Sequence, residues 1–186
     1  MKIVLRKKGL DLRNNMSKTE VNSLSYKIIK QIKENFNLDK YNVIGFYMPL
    51  GNEVDLRPLM KKLIESGKTI VIPKVLDKYN MEFYPLENIR DYHIGRFNVL
   101  EPNSNKKMPK NEIEIIFIPG IYFSYNKYRL GFGAGFYDRY LVNFCGIKVG
   151  ICFNFQYISD FPINEYDIPM DKIITENPLH QYHDED

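Results

Sequence analysis

The 186-residue chain is 44% apolar and 26% charged, proportions of an ordinary folded protein and not of a disordered or fibrous one. Twenty-six basic residues against 23 acidic leave a formal charge of +3, too small an excess to make nucleic acid the main partner. Cys145 and Cys152 lack a CxxC spacing, which argues against a secreted disulfide framework, and no apolar run approaches the roughly 18 residues that cross a bilayer. The start of the chain lacks the long apolar core of a signal peptide, so a cytoplasmic protein with no membrane partner is expected.

The first thirteen residues hold Lys2, Arg6, Lys7, Lys8 and Arg13 against Asp11 alone. A helix over 2–13 would put Leu5 and Leu12 on one side and the bases on another. That basic side is either a solvated face or a surface for a polyphosphate. Ser17 and Glu20 have capping-box spacing, and Val21, Leu24, Ile28, Ile29 and Ile32 follow at helical period, so an amphipathic helix is expected over 18–35. Residues 42–48 form a short apolar run suited to a buried strand, broken by Pro49 to Asn52. Asp55 can cap a helix that tolerates Pro58 in its first turn and stops at Gly67. Residues 69–72 read as a second buried strand ended by Pro73, and strand, helix and strand in this order predict a βαβ unit and a parallel sheet.

Residues 81–86 predict a third strand, placed near an edge by Pro85, and the polar stretch 87–112 is expected to be irregular. Residues 113–118 are the most strand-like segment and stop at Pro119 and Gly120. A glycine-rich turn at 131–135, a helix from Phe136 to Asn143, and strands over 148–153 and 171–175 complete the order. The expected fold class is α/β, a single domain over 1–178. Its mostly parallel open sheet carries helices on both faces, in a Rossmann-like three-layer arrangement, and a polar tail follows over 179–186. His180 and His183 in that tail lack a third ligand and do not read as a metal site.

Ligands of open parallel sheets collect beyond the carboxyl ends of the strands. Three segments are expected there: 48–55, 119–137 and 166–171. In the second, Gly131, Gly133 and Gly135 alternate, with Arg129 before them and Tyr137 and Asp138 after. Glycines let the backbone approach a ligand and point amides at an anion, while arginine offers a planar fork to phosphate oxygens and aspartate a hard ligand to magnesium. The same glycines are equally compatible with a plain tight turn. Neither the Walker sequence nor the dinucleotide fingerprint is present. Glu53 could equally cap a helix and Asp171 end a loop.

The run from Arg129 to Leu141 closely resembles the signature of the 5-formyltetrahydrofolate cyclo-ligase family, also called methenyltetrahydrofolate synthetases. Leu5 to Lys7, Phe46 to Asp55, Gly67 and Lys68, Ile72 and Pro73, Gly95 to Phe97, Glu101 and Pro102, Pro119 and Gly120, and Asp167 to Asp171 with Thr175 and Glu176 follow in the family's order. The resemblance implies ATP-dependent conversion of 5-formyltetrahydrofolate to 5,10-methenyltetrahydrofolate, with magnesium, a small-molecule substrate and a monomer. By it, Lys2, Arg6 and the loop Arg129, Leu130, Gly131, Phe132, Gly133, Ala134, Gly135, Phe136 and Tyr137 hold ATP. Met48, Glu53 and Tyr137 meet the folate, Asp138 and Asp171 serve the metal, and Arg129 and Tyr137 are catalytic. Phe132, Ala134 and Phe136 depart from the commoner family residues and remove side-chain donors, so phosphate contacts there would come from backbone amides.

Overall fold

The computed structural model describes residues 1–179, so the expected tail, with His180 and His183, lies outside the described residues except for Leu179. The first half runs α1 (Lys2–Asn14), α2 (Lys18–Asn35), β1 (Val43–Gly45), α3 (Arg57–Glu65), β2 (Thr69–Val75), β3 (Met81–Pro85), β4 (Tyr92–Ile94) and β5 (Leu100–Pro102). The second half runs β6 (Ile115–Pro119), β7 (Tyr122–Ser124), β8 (Arg129–Leu130), α4 (Phe136–Tyr140), β9 (Ile147–Ile151), β10 (Tyr157–Ile158) and β11 (Lys172–Ile174). Helix α2 has the expected bounds because its first turn is closed as its sequence dictates: Ser17 Oγ accepts from Glu20 N at 3.1 Å.

Among the described residues, six strands form one sheet in the order β11-β9-β6-β1-β2-β3, every pairing parallel except β2 with β3. Side chains alternate across it. Ile115 and Phe117 of β6 join Ile28, Ile32, Leu59 and Met60 of α2 and α3 on one face. Ile116 and Ile118 join Tyr140, Leu141 and Phe144, on and after α4, on the other. Burial on both faces explains why these strands read as unbroken apolar runs. No helix among the described residues is long and apolar enough to cross a membrane.

Four features depart from expectation. Strand β2 does not stop at Pro73 but runs to Val75. Val71 O accepts from Phe46 N beyond β1, so by alternation the nitrogen of Pro73 faces the side where β1 has already ended. A residue without an N–H loses nothing there. Helix α4 ends three residues early because Asn143, at φ 61°, takes the left-handed conformation that asparagine tolerates and helices do not. The stretch 87–112 contains an antiparallel pair, β4 with β5, whose tip carries Phe97 and Asn98, both at φ 57°. Finally, β10, β7 and β8 make a second small sheet, on which α1 docks through Leu5 and Leu10 against Ile121, Tyr122, Leu130 and Phe161. The approach is close: a Cβ on Gly9 would stand 2.5 Å from the Ile121 side chain.

Candidate active site

From β1 the chain moves outward to β2, and from β6 it moves the opposite way to β9, so a crevice opens between the carboxyl ends of β1 and β6. A cleft of about 940 Å³ lies there. Tyr47, Met48 and Glu53 enter it from the loop after β1, and Pro119 and Gly120 from the end of β6. The glycine loop, Lys2 and Arg6 of α1, the tip of the β4–β5 hairpin and the segment from Asn164 to Ile168 supply the rest.

Arg129 is held in the cleft by several contacts. Its strand, β8, is fixed by antiparallel pairing to β7. Its Nε donates to the carbonyl of Pro119, and its guanidinium carbon lies 4.7 Å from the centre of the Tyr137 ring. Gly131 leaves room for this packing, since a Cβ there would stand 2.6 Å from a guanidinium nitrogen and push the Arg129 head aside. Burial lowers the proton affinity of Arg129, and Tyr137, Asp138 and Glu53 act against it. Arginine nevertheless stays charged at any physiological pH. Burial also pushes the Tyr137 phenol well above its ordinary range, so it remains a neutral hydroxyl. Beyond Arg129, Gly133 and Gly135 take φ 102° and 75°, turning the loop back on itself, and Arg6 Nε donates to Gly131 O at 2.8 Å.

Carboxylates line the cleft as well: Glu53, Glu101, Asp138, Glu165 and Asp167. Glu53 is only 7% exposed, and its Oε1 accepts from Leu50 N at 2.7 Å. Burial raises its proton affinity, and Arg13, that amide and Arg129 oppose the rise. Asp138 sits beside Arg129 with its Oδ1 accepting from Ile168 N at 3.2 Å; burial raises its proton affinity too. Lys2 Nζ lies 3.5 Å from Asp167 Oδ2, which joins the first turn of α1 to the 164–168 segment.

The sequence model of the 5-formyltetrahydrofolate cyclo-ligase family matches residues 1–176, which include every group just described. The chain belongs to the 5-formyltetrahydrofolate cyclo-ligase family. It is an enzyme, and the ligase activity is that of the family. A 5-formyltetrahydrofolate cyclo-ligase of Mycoplasma pneumoniae is 31% identical over 180 residues, covering 94% of this chain and 98% of that one. The Escherichia coli K12 cyclo-ligase is 26% identical over 149 residues, covering 76% and 81%. The NMR structure of Aquifex aeolicus 5,10-methenyltetrahydrofolate synthetase matches with a TM-score of 0.84 at 35% identity, covering 95% of this chain and 90% of that one.

Within this cyclo-ligase, Lys2, Arg6, Met48, Glu53, Tyr137, Asp138 and the whole of 129–136 line one cleft. Asp171 does not. It immediately precedes β11, and a residue just before a parallel strand lies at the amino end of the sheet, away from the crevice. There its Oδ2 accepts from Lys148 N at 2.7 Å and pairs with Lys148 Nζ at 3.5 Å. The expectation that 166–171 lies wholly at the carboxyl ends is corrected accordingly: Tyr166, Asp167 and Ile168 reach the cleft. Leu130 contributes backbone only, since its side chain is buried among Ile121, Tyr122 and Phe161. With α4 only five residues long, its dipole adds little, and the loop's main-chain amides are the donors that remain.

Two residues received no site role from sequence. Phe97, 80% exposed at the hairpin tip and at φ 57°, lines the cleft beside Arg96, although it stood only within the Gly95 to Phe97 match to the family. Arg13 looked like one more base of a solvated helix, yet it is 3% exposed. Among the described residues no three His, Cys, Asp or Glu side chains group as a metal site. Asp171→Asn is expected to leave kcat/KM within about twofold and to lower the unfolding free energy by less than about 1 kcal/mol, since its ion pair is solvent-facing. Steady-state kinetics and urea unfolding check both halves.

Proposed function

We propose that the cleft carries out the ATP-dependent closure of 5-formyltetrahydrofolate to 5,10-methenyltetrahydrofolate, with ADP and phosphate as the other products. The observation that carries this reading is a half-buried, anchored guanidinium between an alternating-glycine loop and a buried carboxylate. One side of the cleft offers cations and free main-chain amides, which suits a triphosphate. The other offers Met48, Tyr47 and Glu53, an apolar wall with one fixed acceptor, which suits a pterin ring.

The formyl group on N5 is amide-like, and its carbon is a poor electrophile. Transfer of the γ-phosphoryl group to the formyl oxygen turns that oxygen into a leaving group. N10 then attacks the carbon, its N–H proton is released to solvent or the departing phosphate, the ring closes, and phosphate leaves. Arg129 faces the charge that builds on the transferring group, and its anchor on the Pro119 carbonyl means no reorganisation is needed when that charge appears. Lys2 and Arg6 neutralise the outer phosphates. Glu53 orients the substrate by accepting from its N–H groups, and Tyr137 bridges the two ligands.

A magnesium ion would fit at Asp138. Asp138 is a half-buried carboxylate that uses one oxygen on Ile168 N, and one carboxylate together with phosphate oxygens is the usual magnesium set. When bound, the ion would neutralise phosphate charge during transfer. Asp171 is too far along the sheet to share it.

The test is an absorbance assay for methenyl-folate with purified protein and 5-formyltetrahydrofolate. Product is expected only when ATP and magnesium are both supplied, with stoichiometric ADP. Nucleotide left intact in the presence of formyl-folate would reject the reading.

A further inference from the structure

Arg139 of α4 also lines the cleft, yet the reaction just described gives it nothing to do. The residue is exposed, but its guanidinium is held. Its Nε donates to the Tyr79 carbonyl at 2.8 Å, and its guanidinium carbon lies 5.6 Å from the centre of the Tyr79 ring and 5.1 Å from that of Phe136. Tyr79 is fixed in turn, because Asp77 Oδ1 accepts from Tyr79 N at 2.8 Å and from Asn80 N at 2.9 Å, which closes the turn between β2 and β3. Among the described residues no carboxylate pairs with Arg139. The Nη groups are thus charged donors on an anchored base, with no anion of the protein's own.

The surroundings say which anion belongs there. Arg6 stands at the start of the glycine loop, bonded to Gly131 O, and Arg139 at its end, where a Cβ on Gly135 would lie 2.7 Å from an Arg139 nitrogen. The end held by Arg139 adjoins a strip of sheet that β1 does not cover. Strand β2 runs on past β1, pairing Pro73 with Phe83 and Val75 with Met81 of β3. By alternation from Val71, Pro73 and Val75 face the side of the sheet that holds Met81 and Phe83. Helix α4 lies on that side too, its Tyr140 ring 4.9 Å from that of Phe83. Pro73, Val75 and Met81 all line the cleft. They form an apolar floor that begins beside the loop after β1, where Phe46 N donates to Val71 O at 2.9 Å, and ends at the turn to which Arg139 is bonded.

We propose that Arg139 binds the glutamate tail of the folate substrate, its Nη groups taking a tail carboxylate. A reduced folate is a polar bicyclic head, an apolar aminobenzoyl spacer and a glutamate. With the head beside Met48 and Glu53, the spacer lies along Pro73, Val75 and Met81, and the charged end emerges at Arg139. The inference rests on the reading of Met48 and Glu53 as the folate end of the cleft, and it names what the far end of that ligand meets.

The experiment is calorimetric titration of the full chain, without ATP, using 5-formyltetrahydrofolate and its tail diamide, in which both carboxylates are neutral carboxamides of similar size. The diamide is expected to bind the unaltered protein about tenfold more weakly, the scale of one charge-assisted hydrogen bond. Arg139→Gln is expected to weaken the folate by a similar factor and to bind folate and diamide almost alike. Because the side chain is exposed, the substitution should leave the fold intact, which the unfolding midpoint checks. Equal binding of the two compounds by the unaltered protein overturns the proposal without any variant. So does an Arg139→Gln protein that still prefers the folate by the original factor, or one that loses affinity for ATP in place of folate, which would assign Arg139 to phosphate. Protein that binds neither compound loses the folate reading as well, whereas binding that ignores tail charge sinks this inference and leaves that reading in place.

Discussion

Arg129→Ala should lose about a hundredfold or more in kcat/KM, with the circular dichroism spectrum and the unfolding midpoint close to those of the unaltered protein. Removal of a single pre-aimed donor to a developing negative charge has effects of this size. The reason for expecting the upper end is the way this side chain is held. Its Nε is occupied by Pro119 O, its face lies on Tyr137 and Gly131 has no side chain to displace it, so the guanidinium has little freedom to turn. Lysine should not rescue, because a point charge on a flexible stem reproduces neither the fork nor the stacking. A variant that turns over at the normal rate would remove Arg129 from the mechanism.

Phe117→Ala should lower the unfolding free energy by about 3–5 kcal/mol, a large share of the roughly 5–15 kcal/mol that holds most domains together. Phe117 is fully buried on β6, the strand that links the two halves of the sheet. Its ring meets Phe36 edge-on at 6.4 Å and Phe46 at 5.0 Å, so truncation opens a void bounded by a helix end and two adjacent strands. Urea unfolding gives the number. A loss below about 1 kcal/mol would mean that the core collapses into the space and that the aromatic triad is not its keystone.

The legible parts of this molecule were those with repetition. Helix α2 had both a cap and five apolar residues at one period, and its bounds were read without error. The parallel strands were read because both faces are buried. What escaped was short. Strands of two or three residues such as Tyr122–Ser124, Arg129–Leu130 and Tyr157–Ile158 hold too few positions for alternation to be recognised. The β4–β5 hairpin escaped for the same reason.

The site divided along similar lines. Glycine spacing and the resemblance it carried brought most of the cleft residues together. Asp171 falls outside the cleft because a motif does not say at which end of a strand its residues lie. Arg13 was overlooked because a helix pattern cannot reveal that one basic residue turns inward while its neighbours turn out. Its burial depends on Gly9 letting α1 come down onto the second sheet, a tertiary fact.

The docking of α1 has a corollary. This helix gives the cleft Lys2 and Arg6 and backs it with Arg13, yet its own apolar contacts are to the small satellite sheet rather than to the large core. A segment held that way can lift off while the main fold persists, since local opening needs only its own contacts to break. Competence and foldedness would then part company as temperature rises, with nucleotide affinity fading first and the six-stranded scaffold surviving it.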